Sequence, residues 1–387
     1  MALVWMVYRL SGSTGTTGTI AFLGLLPYLI VTPFAGLLAD RMPRRNLLLV
    51  VHSCLLVLAT AITVLSYFGY ASVPVLGMFA VILGTLNAIE ITTRHSYFAQ
   101  LIDDKNDLPN ALALNSININ GTRLIGPAVG GLLIAAYSET VCFALNAVSY
   151  LAVIAQLKMM PVVAVSASHS AQHPLTQLLD GWRFALRSNI ILPLVLTAGG
   201  VSLCMNSYTV LMPAITTDVF GKGAGLNGVL LSGVGAGALL GGVLIALRKS
   251  IRGLSSWILL TLVSAGLGAM LFAVLAQFKF APASFLAIAL MGFGIMGTSV
   301  SVNTIIQTVV DDAYRGRVIS VYSTFFVGAT PIGQLAAGWL AEHIGPIKTM
   351  MLCSALCFCV AAIYAHHLPK LRLVLRTAYG ERGVALR

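Results

Sequence analysis

Charge is what this sequence lacks. Aspartate and glutamate number 12 in 387 residues, and charged residues of all types make up only 9%. A water-soluble domain carries about 25%. The polar face that would cover a soluble core is missing, which excludes a soluble globular protein and points to an integral membrane one. Signatures of catalysis are missing too. No phosphate-binding GxxxxGK[ST] loop, no HExxH pair and no GxSxG elbow occurs. The six cysteines (Cys54, Cys142, Cys204, Cys353, Cys357, Cys359) fall inside apolar runs without histidines at metal-ligand spacing, and read as small buried hydrophobes. His366 and His367 are adjacent and point to different faces, so they make no metal site. No catalytic residue, metal or cofactor is expected, and the chain is not an enzyme.

What is present is apolar sequence: 58% of residues are hydrophobic. A span takes about 20 consecutive apolar residues as a helix, or about 10 in strict alternation as a strand. The runs here are long and apolar on all sides, so they are helices, whose backbone groups are satisfied internally. Eleven such runs lie between Thr17–Ala39 and Ile347–His367. Before them, MALVWMVYRL (Met1 to Leu10) is half a span long, with neither the charged start nor the small-residue cleavage site of a signal peptide. It reads as the outer half of a first helix that is only partial.

The turn GLLADRMPRR, Gly36 to Arg45, fixes the direction of the rest. It places Asp40, Arg41, Arg44 and Arg45 between two apolar runs, and short basic loops stay on the cytoplasmic side. Threading the chain from there puts eighteen of the 23 basic residues on the cytoplasmic side, four outside, and Arg123 alone within a span. Both termini then face the cytoplasm, as expected for a multi-pass protein of the bacterial inner membrane. Net charge +11 raises the alternative of nucleic acid. Basic residues in short loops beside spans read instead as contacts to anionic membrane lipid, with no nucleic-acid partner.

Two halves look related. A shift of 207 residues pairs Gln100 with Gln307, Asp104 with Asp311, Ser116 with Ser323, Gly121 with Gly328, Gly126 with Gly333 and Gly131 with Gly338. Six spans per half keep the copies parallel, about an axis along the membrane normal, with a site between them. The expected architecture is an all-α integral membrane fold of two six-helix bundles related by a pseudo-two-fold axis: residues 1–160, a cytoplasmic linker at 161–189, residues 190–368, and a basic tail at 369–387. The linker holds an amphipathic run, LTQLLDGWRFALR, suited either to the membrane surface or to solvent.

A few polar residues stand out against this background. Asp40 is either a topology anchor or an acceptor for the exposed amides of a neighbouring helix, tying two helices at the inner gate. Glu90 and Arg94, four apart, share a helix face. Glu90 inside a span is either a proton carrier or half of a fixed ion pair. Arg123 cannot shed its proton. It meets either an anionic substrate in a cavity or a structural partner such as Glu90 or helix carbonyls. Pro127 bends its helix, while Gly126, Gly130 and Gly131 let another helix come close. Ser202, Asn206, Tyr208, Asn303 and Gln307 are further candidates for lining a cavity.

GLLADRMPRR resembles the loop signature between the second and third helices of the major facilitator superfamily, with Pro43 where the usual pattern has a second glycine. Gly126-Pro127 through Gly131 resembles the fifth-helix signature of its exporters. Leu108–Ser116 (LPNALALNS), Thr122-Arg123 ahead of Gly126-Pro127, and Arg315–Ser323 (RGRVISVYS) resemble the enterobactin-exporter-like branch of siderophore and drug efflux permeases. The resemblance implies a major facilitator fold. It also implies proton-coupled efflux of an amphipathic small molecule by a monomer working through alternating access. The resemblance implies a gating role for Gly36, Asp40, Arg41, Arg44 and Arg45, while Glu90, Arg94 and Arg123 are coupling and cavity candidates by their own chemistry. Symport with protons and uniport of a small metabolite are the alternatives, as is a membrane protein that does not transport because its first helix is short.

Overall fold

A computed structural model describes residues 1–101, 108–161, 182–183, 185–248, 250–251 and 253–381. These residues are helical throughout, with no strand among them. The first half contains α1 (Ala2–Ser11), α2 (Thr14–Arg41), α3 (Arg44–Tyr67), α4 (Val73–Gln100), α5 (Leu108–Ala136) and α6 (Glu139–Met159). The second contains α7 (Ile191–Val219), α8 (Ala224–Ala246), α9 (Leu254–Gln277), α10 (Ala281–Val309), α11 (Asp312–Ile344) and α12 (Pro346–Glu381). Ten stretches among them are long and apolar enough to cross a membrane; α1 and the apolar part of α5 are shorter. Large apolar side chains such as Phe34, Val57, Leu132 and Ile363 face outward, which suits lipid.

The chain turns sharply where it must. Gly12, at φ 62°, closes α1 with its N–H on the Tyr8 carbonyl. Ser13 then caps α2 by accepting from the Thr16 N–H at 3.0 Å. At the α2–α3 turn, Arg45 donates to the Leu157 and Lys158 carbonyls at the end of α6, at 2.6 and 2.7 Å. Arg44 donates to the Ser96 carbonyl of α4. The two arginines thus bond backbone oxygens near the C-terminal ends of neighbouring helices, where positive charge is favoured. This end of the molecule is the basic end; the opposite end is the sparse end.

Helix pairing repeats with a period of six helices. α2 packs on α4 as α8 does on α10, and α3 packs on α6 as α9 does on α12. Across the halves, α5 packs on α8 and α11 on α2. That is the parallel pseudo-two-fold arrangement expected from the duplicated glycines. The halves differ in their cores. In the second half one continuous buried cluster runs from Ala185 to Leu375, whereas the first half holds several small clusters.

Most span ends fall within a few residues of the hydropathy boundaries, but two features differ. α12 does not stop near residue 368: it continues through Lys370, Arg372 and Arg376 to Glu381, with Arg372 donating to Ser256. α7 is broken at Asn206–Ser207, continues over Tyr208–Ala214 with Pro213 inside it, and ends in a π-turn, Ile215–Val219. Pro213 lacks the N–H that would bond back to Thr209, which lets the chain loosen there. Among the cysteines Cys54 and Cys359 are exposed on outward faces rather than buried, while Cys204, Cys353 and Cys357 are buried; all six are free thiols. Most of the 161–189 linker lies outside the described residues.

Candidate functional site: a cavity between the two halves

A cavity of about 770 Å³ lies between the halves, lined from both sides. α1, α2 and α4 supply a largely apolar wall that includes Val7, Ile20 and Leu25. α7, α8, α10 and α11 supply most of the polar groups, among them Asn206, Thr209, Asn227 and Gln334. Arg123 of α5 lines it as well.

Two helix crossings close the cavity at the sparse end. α5 meets α8 where Gly131 faces Gly228: a methyl added to Gly131 would stand 2.6 Å from the Gly228 Cα and 2.7 Å from the Ala224 carbonyl oxygen. α2 meets α11 where Gly18 faces Gly338: a methyl on Gly338 would stand 2.6 Å from the Thr14 carbonyl oxygen and 2.8 Å from the Gly18 Cα. Only residues without a Cβ allow such approach. Polar contacts join the halves at the same end. Tyr8 donates to Asp218 at 2.5 Å, Ser13 Oγ and the Gly15 N–H both donate to Glu342 at 2.6 Å, and Trp339 Nε1 donates to Thr19 at 3.3 Å.

The break in α7 is held against α11 by a polar network. Ser202 donates to the Phe326 carbonyl and meets Thr330; Asn206 donates to Ser202 at 2.8 Å and to Thr330 at 3.1 Å. Gln334 Nε2 donates to Thr209 at 2.8 Å. This network keeps the cavity-facing part of α7 in place although its helix is interrupted.

Each residue singled out in the sequence has a definite place. Arg123 faces the cavity, is exposed there, and has no hydrogen-bond or ion-pair partner among the described residues. Glu90 is half-buried and accepts from Arg94 Nε at 2.8 Å, one turn along α4. That pair does not touch Arg123, and Glu90 lies within electrostatic reach of Tyr28 and Tyr150. Gly131 forms the α5–α8 crossing and the Pro127 carbonyl lies against Gly228, but among the described residues a methyl added to Gly126 would meet nothing within 4 Å, and Gly130 faces the Met1 side chain and accepts from Cys142 Sγ at 3.7 Å. Asn206 and Tyr208 line the cavity, whereas Ser202 is buried behind it. Gln307 donates to Asn303 at 3.1 Å, outside the cavity lining. The side chains of Gly36, Asp40 and Arg41 lie outside the described residues. Asn227, Thr209 and Gln334 were not anticipated: single polar residues in apolar runs carry no signal until the helices are placed.

The sequence matches the transmembrane secretion effector family over residues 1–377. The chain belongs to this family, within the major facilitator superfamily. Two transporters are similar along nearly their whole length. The staphyloferrin A transporter of Staphylococcus aureus is 26% identical, covering 97% of this chain and 93% of that protein. The multidrug efflux pump Tap of Mycobacterium tuberculosis is 28% identical, covering 96% and 89%. Among solved structures, a mutant form of the nucleoside transporter NupG superposes with a TM-score of 0.77 over 94% of each chain, at 13% identity. That likeness speaks for the fold alone. The chain is therefore a multi-pass membrane transporter of the major facilitator fold.

Proposed function

We propose that this protein exports an amphipathic organic molecule, a siderophore or a drug, in exchange for protons, by alternating access as a monomer in the bacterial inner membrane. The observation that carries the reading is the cavity shared by both halves and sealed at the sparse end, with an unpaired Arg123 inside it. In this reading the basic end is cytoplasmic, both termini lie there, and the structure is the inward-facing state. The lobes are residues 1–160 and 190–368, joined by the 161–189 linker, and they rock about the cavity. An apolar wall opposite polar groups suits a substrate with two characters, and an unpaired guanidinium suits an anionic group on it. The relatives that carry siderophore and multidrug names support the same class.

Proton coupling falls to Glu90, whose ion pair with Arg94 would exchange for a proton as the lobes move. Asp40 serves the cytoplasmic gate, present when that side closes. The chain works without cofactor, metal or nucleic acid, and does no covalent chemistry.

Reconstituted flux tests the proposal. In proteoliposomes, saturable dye efflux that follows an imposed pH gradient is expected from the wild type, and Glu90→Gln should abolish the pH dependence while binding persists. Transport that still follows the pH gradient in Glu90→Gln removes Glu90 from coupling. Arg123→Ala should weaken anionic substrates about tenfold more than neutral ones, the value of about one charged hydrogen bond. Equal losses would remove the anion contact.

A further inference from the structure

A second cavity lies apart from the one between the halves. It is a groove of about 690 Å³ at the sparse end, where the starts of α2 and α4 meet the end of α11. Its mouth is polar: Ser13, Glu342 and His343 stand there. Deeper along α2 and α4 it is apolar, with Ile20, Leu23, Met78 and Val81. From Gly15 to Leu23 the α2 wall runs roughly 12 Å, from the helix end into the apolar layer. Trp339 lines the groove and is 58% exposed, although its Nε1 donates to Thr19. Met78 is 57% exposed. The exposure of both, on spanning helices, opens the groove to lipid.

Fixed charge in this groove has one sign. Glu342 is exposed and accepts from Ser13 and Gly15 through Oε2 alone; its Oε1 has no partner among the described residues. No lysine or arginine lines the groove among those residues, and His343 is the other titratable group there. His343 Nδ1 donates to the Trp339 carbonyl at 2.8 Å. An open carboxylate oxygen is best met by a donor that carries positive charge, and an indole beside it adds cation–π attraction. The apolar depth suits a hydrocarbon tail. An anionic headgroup would meet like charge.

We propose that this groove binds a membrane lipid with a primary ammonium headgroup, phosphatidylethanolamine, its ammonium on Glu342 Oε1 and an acyl chain along the apolar depth. The walls come from both halves, α2 and α4 from the first and α11 from the second. A lipid seated there braces the α2–α11 crossing. It favours the closed sparse end by as much as it binds that state more tightly. Nothing in this contact depends on which substrate the central cavity takes.

Native mass spectrometry tests it on the full chain released from nanodiscs of phosphatidylethanolamine, phosphatidylcholine and phosphatidylglycerol in equal parts. The wild type should retain phosphatidylethanolamine about fivefold over either of the others, the worth of one screened charge pair. Glu342→Gln should abolish that preference. Ser13→Ala, which loosens the clasp and keeps the carboxylate, should leave it intact. Gly77→Leu fills the groove with Glu342 untouched: a methyl there would meet only Ile20, at 3.9 Å, so a larger side chain has room. It should lower phosphatidylethanolamine retention as Glu342→Gln does. Equal retention of the three lipids by the wild type, a preference for phosphatidylglycerol, or a preference unchanged in Glu342→Gln overturns the site. Loss of the preference in Ser13→Ala would trace it to the clasp and overturn the direct contact. Displacement of the lipid by glycerophosphoethanolamine, which has the headgroup without the tails, overturns a lipid as the occupant.

Discussion

The two crossings at the sparse end do the same job by different means. Gly131 and Gly338 are copies of one another, offset by 207 residues, and each presses backbone to backbone against a helix of the other half. The α5–α8 crossing is held by packing alone among the described residues. The α2–α11 crossing adds a clasp: Glu342 accepts from Ser13 and Gly15, and Trp339 donates to Thr19. Duplication kept the bare backbone contact, which only glycine provides, and left the flanking side chains free to diverge. A dry crossing cannot be loosened by charge or solvent, whereas a carboxylate clasp can.

Substitutions should separate the two. The largest effect is expected from Gly131→Ala. The new methyl would overlap backbone that cannot move aside, at a cost of about 2 kcal/mol. The sparse end should be forced apart, raising the rate at which an impermeant maleimide reaches a Thr17→Cys reporter in a cysteine-free background by about tenfold or more. An unchanged rate would mean that α5 and α8 part easily. Gly338→Ala should act in the same direction, and a much smaller effect would show the clasp holding that crossing despite the overlap. Next comes Glu342→Gln, which keeps the shape and removes the charge. Glu342 is exposed, so screening trims the loss to about 1 kcal/mol and the labelling rate should rise about fivefold. No change there would reduce the clasp to a passive contact. Trp339→Phe should do least, about twofold or less, because one exposed 3.3 Å bond to Thr19 contributes little. A larger effect would move the weight of the clasp from Glu342 to the indole.

Much of this molecule was readable in advance, for identifiable reasons. The spans were legible because a helix in lipid announces itself by length and hydropathy. Gly131 and Gly338 were legible as a repeated pair. Their partners were not: Gly18 and Gly228 are offset by 210 residues, which breaks the register of the repeat. Arg123 stood out because arginine keeps its charge, and the structure places it on the cavity. The choice between Glu90 as a paired residue and as a free acid could not be made from i, i+4 spacing, which permits either; in this structure it is paired with Arg94. The α12 extension was hidden because residues beyond 368 are too polar to register as a span, although nothing in them breaks a helix apart from Pro369.

The sequence by itself determined a many-helix membrane protein with duplicated halves, because hydropathy, loop charge and repetition are properties of the chain read locally. Only the tertiary structure decided which glycines meet, that the sparse end is shut, and which polar residues of the two halves line one cavity. Those depend on residues hundreds of positions apart arriving face to face, and no local pattern records whether a buried polar atom finds its partner.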